Sequence, residues 1–345
     1  MTKIIDKSNL SDAALCLKNG GTVVFPTETV YGLGADALKE ESVDKIYAAK
    51  GRPSDNPLII HIADKEDVKN IALEIKEDAK KLIDAFWPGP LTMIFKKRPE
   101  INDKVTAGLD TVAIRCPSNE IANKLIKLSG VYVAAPSANL SGSPSPTTLK
   151  HVVDDLDGRV DYIVDGTGCE IGIESTVLDV SQDEFKILRP GKITYEDIRK
   201  ITDKIKSDYI DVKNVETAQC PGMKYTHYSP KAKVIVVEGD TEKTKAYIQE
   251  KLNLKTEPTG VIAYKISGFE KSDYTVCFDN MNEYATMLYE CLRKFDEENI
   301  KTVYAQFKEE KGIGVAVKNR IYKSAGYDVI NLWGVSFESA FCVHG

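Results

Sequence analysis

Short apolar runs, many of them β-branched, alternate along the chain with longer stretches whose apolar positions recur every three or four residues. The first pattern predicts buried strands and the second amphipathic helices. Leu10–Lys18 reads as a helix, with Ser8 or Asn9 as its cap and Gly20-Gly21 as its stop. Thr22–Phe25 reads as a strand halted by Pro26. The stretch PTETVYGLGADA that follows reads as a loop, because polar residues and glycines interrupt it. Glu41–Lys50 is a predicted helix closed by Gly51 and Pro53, and Leu58–Ile62 a predicted strand. Two helical stretches are expected between Asp64 and Phe86. Strands are expected at Leu91–Phe95, Thr111–Arg115 and Val131–Ala134, with a helix near Asn119–Leu128. After the loop PSANLSGSPSPTT come a helix near Leu149–Asp155, strands at Tyr162–Val164, Thr176–Val180 and Phe185–Leu188, and a helix from Thr194. This is α/β material around an open, twisted mixed sheet.

The alternation fails over residues 206–232, a polar segment containing Pro221-Gly222 and Ser229-Pro230. It reads as a linker between domains, although KYTHYSP is unusually aromatic for a spacer. A second alternating pattern starts at Val234 with the buried-type run VIVVEG. Helices are predicted at Thr241–Leu252, Asn282–Glu298 and Val315–Ala325. Strands are predicted at Gly260–Tyr264, Thr275–Phe278, Thr302–Gln306 and Asp328–Leu332. Near-continuous apolar strands between helices give this part parallel-sheet, Rossmann-like character. The expected organisation is a domain over residues 1–205, the linker over 206–232 and a smaller α/β domain over 233–345.

Composition narrows the field. A chain of 345 residues is long enough for two domains. Its net charge of −6 disfavours a strongly basic nucleic-acid binder but leaves room for a local basic cleft. No apolar run approaches a membrane span, and the N-terminal MTKIIDKSNL is too polar for a secretory signal. Seven scattered cysteines, without a C-x-x-C pair or a cluster with the four histidines, fit reduced thiols in a cytoplasmic protein.

Signatures of several common chemistries are absent: there is no G-x-x-x-x-G-K-[ST], no G-x-S-x-G and no H-E-x-x-H. What the chain offers is polar residues at strand ends, where open α/β sheets bind ligands. Thr27, Glu28 and Thr29 follow one strand, Arg115 ends another, and Ser137 and Asn139 follow a third. Each has a plainer reading as a turn former or a surface cation. Lys50-Gly51-Arg52 ends a helix, where cations are favourable in any case, yet the prolines of Pro53 and Asn56-Pro57 stiffen the backbone after it. A bidentate arginine beside a point-charge lysine suits a polyphosphate. His61 alternates with Leu58, Ile60 and Ile62, a position more often structural than functional.

These segments occur together and in order. PTETVYGLG is followed by Lys50-Gly51-Arg52 with Asn56-Pro57-Leu58, then by Trp87-Pro88-Gly89-Pro90-Leu91-Thr92 and Ala135-Pro136-Ser137-Ala138-Asn139. Gly172-Ile173-Glu174-Ser175-Thr176-Val177 and Arg189-Pro190-Gly191 complete the series. The set resembles the threonylcarbamoyl-adenylate synthases of the YrdC-like family over roughly the first two hundred residues. His227-Tyr228-Ser229-Pro230, the second α/β domain and Asn319-Arg320 resemble the longer, two-domain branch.

The resemblance implies synthesis of L-threonylcarbamoyl-AMP from L-threonine, bicarbonate or carbon dioxide and ATP, with release of pyrophosphate. The product would serve a partner transferase that modifies tRNA, so tRNA itself would be met only indirectly or weakly, and no membrane is involved. Magnesium would ride on the triphosphate without a metal site supplied by the protein, and no tightly bound organic cofactor is implied. By the same resemblance, Arg115 would grip the threonine carboxylate, with Thr29, His61, Ala135 (through its backbone) and Ser175 completing that pocket. Lys50 and Arg52 would be catalytic. With Asn56, Thr111, Ser137, Asn139, Ser145 and Arg189 they would surround ATP, and His227 and Tyr228 would reach it from the linker, pictured as a lid.

Two other readings stand beside this one. Carbamoyl-adenylate formation from carbamoyl phosphate, as in the related hydrogenase-maturation carbamoyltransferases, would come with an acylphosphatase-like domain and zinc-finger cysteine pairs that the chain lacks. An RNA-binding module is disfavoured by the acidic charge and would show steep salt dependence with no need for threonine.

Overall fold

The computed structural model describes residues 1–166, 168–205, 209, 220, 228–308 and 311–334. The chain divides into two units. One comprises Met1–Ser141 and Ser145–Tyr225, and the other Gly142–Pro144 and Thr226–Gly345.

The first unit carries the strands β1 (Lys3–Ile5), β2 (Val23–Phe25), β3 (Gly32–Asp36), β4 (Ile59–His61) and β5 (Leu91–Lys96). They are joined by β6 (Thr111–Arg115), β7 (Val133–Ala134), β8 (Tyr162–Val164), β9 (Thr176–Asp179) and β10 (Lys186–Arg189). Their order is β1-β8-β2-β3-β7-β4-β6-β5-β9-β10. β4 runs parallel to β6 and β5 parallel to β9, while β2–β3, β7–β4 and β5–β6 are antiparallel, so the sheet is mixed. The stretch PTETVYGLGADA, expected as a loop, contains β3. Gly32, Leu33 and Gly34 pair with β2, and Ala35 and Asp36 with β7. Pairing on both sides outweighs the poor strand propensity of glycine.

Helices cover both faces. α1 (Leu10–Lys18) and α5 (Glu120–Ser129) bury Leu17, Leu125 and Ile126 against Val23, Phe25 and Val164. α2 (Glu40–Lys50) and α3 (Glu77–Phe86) bury Ile46 and Leu82 on the core that contains Leu58, Ile60 and Ile62. Each buried side chain of this size contributes roughly 1.5–3 kcal/mol. Ile59 belongs to a different cluster, with Ile94 and Val177, as alternation along β4 requires. Of the two helical stretches expected between Asp64 and Phe86, the first is a 3-10 helix over Lys65–Asn70. Shorter helices α4 (Asp103–Thr106), α6 (Leu149–Leu156) and α7 (Tyr195–Arg199) complete this unit, and Thr194 and Asp197 form a capping box on α7.

In the second unit β11 (Lys233–Glu238), β12 (Thr259–Tyr264), β13 (Tyr274–Phe278), β14 (Thr302–Phe307) and β15 (Val329–Asn331) form an all-parallel sheet in the order β13-β12-β14-β11-β15. α8 (Thr241–Leu254), α9 (Met281–Glu297) and α10 (Ile313–Ser324) make the crossovers. Among the described residues no helix is long and apolar enough to cross a membrane.

Candidate active site

The turn after β2 is built from its own hydroxyls. Thr27 Oγ1 accepts from the backbone N–H groups of Thr29 and Val30 and donates to Val30 O at 2.6 Å. The only proton left for the contact between the two threonine hydroxyls (2.9 Å) is that of Thr29. Thr29 Oγ1 can then accept from Arg115 Nη1 at 2.9 Å. Arg115 ends β6 and lies between β4 and β5, with His61 and Thr92 as its cross-strand neighbours. Its Nη2 lies 2.7 Å from Glu28 Oε1, with both side chains almost completely buried. The turn is fastened from the other side, where Ile171 N and Gly172 N donate to the carbonyls of Glu28 and Thr29.

The start of β5 is tied to the end of β6 by the Trp-Pro-Gly-Pro-Leu-Thr motif. Trp87 Nε1 donates to Leu91 O, and Gly89 N to Cys116 O. This places Thr92 Oγ1 2.8 Å from Ser175 Oγ. Arg189, buried at the end of β10, donates from Nε to Ser175 O and from Nη2 to Ser175 Oγ, both at 3.1 Å. Gly191 is required here by close approach, since a Cβ would stand 2.4 Å from Thr176 N.

A third cluster forms at the end of α2. Gly51 adopts a left-handed conformation (φ 60°), ending the helix so that Lys50 turns inward. Lys50 Nζ donates to Ser137 O and Asn139 O, both at 2.5 Å, and Ser137 Oγ donates to Asn139 Oδ1. Burial, reinforced by the charge of Arg52, pulls the Lys50 pKa well down against the opposing charge of Asp155. Arg52 Nη2 donates to Asn56 O and Pro57 O. Asn56 Oδ1 is buried without a hydrogen-bond partner among the described residues.

The other expected residues fall as follows. His61 is buried, with Nδ1 donating to Ile59 O at 3.1 Å and its ring edge-on to Phe25. Burial, helped by the Arg115 charge, lowers its pKa to about 3, so the ring is neutral near pH 7. Ala135 is buried with its N–H committed to Ile59 O. Thr111 and Arg115 are the first and last residues of β6. Ser145 Oγ donates to Glu174 Oε1 at 2.5 Å. Tyr228 falls in the second unit, where its buried ring stacks on Tyr289 and lies beneath the Arg320 guanidinium. His227 and most of the 206–232 segment lie outside the described residues. Sequence reasoning marks Glu28 as a polar residue after a strand end without assigning it a task, and attaches no role to Glu174 or Thr92. All three stand inside the recognised motifs, and that is the signal that marks them. Among the described residues no group of three or more His, Cys, Asp or Glu is placed to hold a metal ion.

Fold and site together define an α/β protein with two buried arginines and a buried lysine gathered at strand and helix ends. Residues 16–191 match the family model described as "Telomere recombination", and residues 193–326 the one described as "Threonylcarbamoyl-AMP synthase, C-terminal domain". The threonylcarbamoyl-AMP synthase of Pyrococcus abyssi is 44% identical over 95% of this chain and 97% of its own length. That of Bacillus subtilis is also 44% identical, over 93% of this chain and 94% of its own. Among solved structures, P. abyssi Sua5 complexed with L-threonine superimposes with a TM-score of 0.90 at 44% identity, covering 96% of this chain and 99% of that one. This chain belongs to the threonylcarbamoyl-AMP synthase family, in its long, two-domain form.

Proposed function

We propose that this chain condenses L-threonine, bicarbonate or carbon dioxide and ATP into L-threonylcarbamoyl-AMP, releasing pyrophosphate. The observation that carries this reading is the bonded chain from Thr92 through Ser175 to Arg189, beginning at the strand neighbour of Arg115. Two buried guanidiniums are thereby set a few side chains apart. One suits an amino-acid carboxylate and the other a phosphate. Such a pair brings an amino acid and a nucleotide side by side, which is what a condensation needs.

In this reading the threonine amine, once it has lost its ammonium proton, adds to the carbon of carbon dioxide and gives up a second N–H proton to solvent, forming a carbamate. A carbamate oxygen then attacks the α-phosphorus in line, and the bond to the bridging oxygen breaks as pyrophosphate leaves. Arg115 takes the threonine carboxylate, and Thr29, His61, Ala135 and Ser175 line its pocket. Neutral His61 contributes shape and hydrogen bonding but no charge. Lys50, Arg52 and Arg189 stabilise the phosphates, with Asn56, Thr111, Ser137, Asn139 and Ser145 around the nucleotide. His227 and Tyr228 stay proposed nucleotide contacts. Magnesium comes with the triphosphate as part of the substrate. The product passes to a transferase acting on tRNA, in the cytoplasm.

The test is pyrophosphate release from ATP with threonine, bicarbonate and magnesium, each omitted in turn, with mass spectrometry of the quenched mixture. Release that needs both threonine and bicarbonate, with the adenylate adduct present, supports the reading. Release that ignores threonine overturns it.

A further inference from the structure

Glu28 is buried beside Arg115 yet is poorly used by the protein around it. Its Oε1 stands 2.7 Å from Arg115 Nη2, but off the line that a hydrogen bond needs. Neither Glu28 oxygen, and neither Nε nor Nη2 of Arg115, has a hydrogen-bond partner among the described residues. Burial works to raise the carboxyl pKa, but the charge of Arg115 beside it pulls the other way, and the group is held below its ordinary range. A buried carboxylate with idle acceptors next to a buried guanidinium with idle donors is costly unless a ligand completes both. The complement is a molecule that carries an anion and a cation close together.

We propose that Glu28 receives the α-ammonium of the incoming amino acid while Arg115 takes its α-carboxylate, so that the pair reads a zwitterion. This rests on the threonine-site reading given above and extends it to a residue with no role there. Thr29 sets the distance between the two halves, since it neighbours Glu28 in the chain and accepts from Arg115 Nη1. The role is recognition. The proton that the ammonium must shed before carbamate formation goes elsewhere, because a carboxylate of depressed pKa is a poor base.

The test compares L-threonine with (2S,3R)-2,3-dihydroxybutanoate, which replaces the ammonium by a hydroxyl, by calorimetry on the wild-type chain and on Glu28→Gln. Wild type should prefer threonine by about tenfold or more, the effect expected of a hydrogen bond to a charged group. In the variant threonine should weaken by a similar factor, the analogue should change little, and ATP binding should be unaltered. Equal weakening of both ligands would mean that Glu28 only supports Arg115, and would overturn the proposal. A wild-type chain that binds neither ligand would overturn the threonine-site reading itself. A second measurement needs no variant. Wild-type affinity for threonine should fall as pH rises past the pKa of the threonine ammonium, whereas affinity for the analogue should not. The titratable neighbours of this carboxylate stay fixed over that range. His61 is neutral with a pKa of about 3, and burial lifts the thiols of Cys116 and Cys169 to about 12. Parallel pH profiles for the two ligands would overturn the proposal.

Discussion

Arg189 donates two hydrogen bonds to a single residue, Ser175, one to its carbonyl and one to its hydroxyl. The same hydroxyl meets Thr92, the strand neighbour of Arg115. Ser175 therefore sits where the proposed amino-acid and nucleotide halves of the site join. Ser175→Ala removes the hydroxyl from both contacts and keeps the carbonyl bond. We expect kcat/KM to fall by about 10–100-fold, with KM raised for both threonine and ATP, and a stability loss of about 1–2 kcal/mol. Steady-state kinetics in each substrate checks this. A rise in only one KM would place Ser175 in one half alone.

Lys50 is the second test. Its ammonium is the donor to the carbonyls of both Ser137 and Asn139, so it shapes that loop as well as supplying charge. Lys50→Met keeps much of the volume, removes the charge and leaves one buried and one part-buried carbonyl without this donor. Turnover should drop by at least about 100-fold, and stability by about 2–3 kcal/mol. Lys50→Arg should not restore activity, because the residue is 2% exposed and a guanidinium has no room to expand. Single-turnover pyrophosphate release and chemical denaturation measure the two effects separately. Turnover near the wild-type rate in Lys50→Met would remove the residue from the catalytic group.

Much of this arrangement can be read from the chain, for identifiable reasons. Thr111–Arg115 and Tyr162–Val164 are strands over the very residues that apolar, β-branched runs mark out, and Leu10–Lys18 is a helix with the apolar spacing it needs. β3 escapes notice because Gly32-Leu33-Gly34 has no strand propensity of its own and owes its form to β2 and β7. β1 escapes because Lys3–Ile5 lies in a polar segment and pairs with β8, more than 150 residues away. In the site, Arg115 and the Lys50–Arg52 pair stand out because strand and helix ends announce them. Glu28 is marked only by its place after a strand, and Glu174 not at all, since a carboxylate declares its role only through what it faces. For Glu28 that is Arg115, and for Glu174 it is Ser145.

His61 gives the protein a pH dependence whose sign can be worked out. Folded, it stays neutral down to about pH 3. Unfolded, it takes up a proton near the ordinary imidazole pKa of about 6.5. Across that window the unfolded chain binds more protons, so the His61 contribution to stability falls as pH falls and levels off below both values. The slope is about 1.4 kcal/mol per pH unit. Between pH 7 and pH 4 the stability difference between wild type and His61→Gln should therefore shift by on the order of 3 kcal/mol in favour of the variant. Denaturation curves at several pH values measure it. A pH-independent difference would show that the imidazole titrates normally in the folded chain.

Two glycines separate steric from conformational demand. Gly191 follows Arg189, and a Cβ there would meet Thr176 N at 2.4 Å and the Ser175 carbonyl carbon at 2.8 Å. Those are backbone atoms and cannot swing aside. To admit a methyl group, the strand start must move away from Pro90 O and Ile193 O, which Thr176 now bonds. Ser175 moves with it. Gly51 has open space around it but sits at φ 60°, which an L side chain adopts at a cost of about 1 kcal/mol. Gly191→Ala should lose about 1–3 kcal/mol of stability from overpacking and, in the folded fraction, weaken threonine and ATP together through the displaced Ser175. Gly51→Ala should lose about 1 kcal/mol and leave threonine affinity alone, because its strain acts at the end of α2 beside Lys50 and Arg52. Denaturant melts and calorimetric titration of each ligand on both variants measure the contrast. If Gly191→Ala matches Gly51→Ala in stability and in threonine affinity, close backbone approach does not set the position of Ser175.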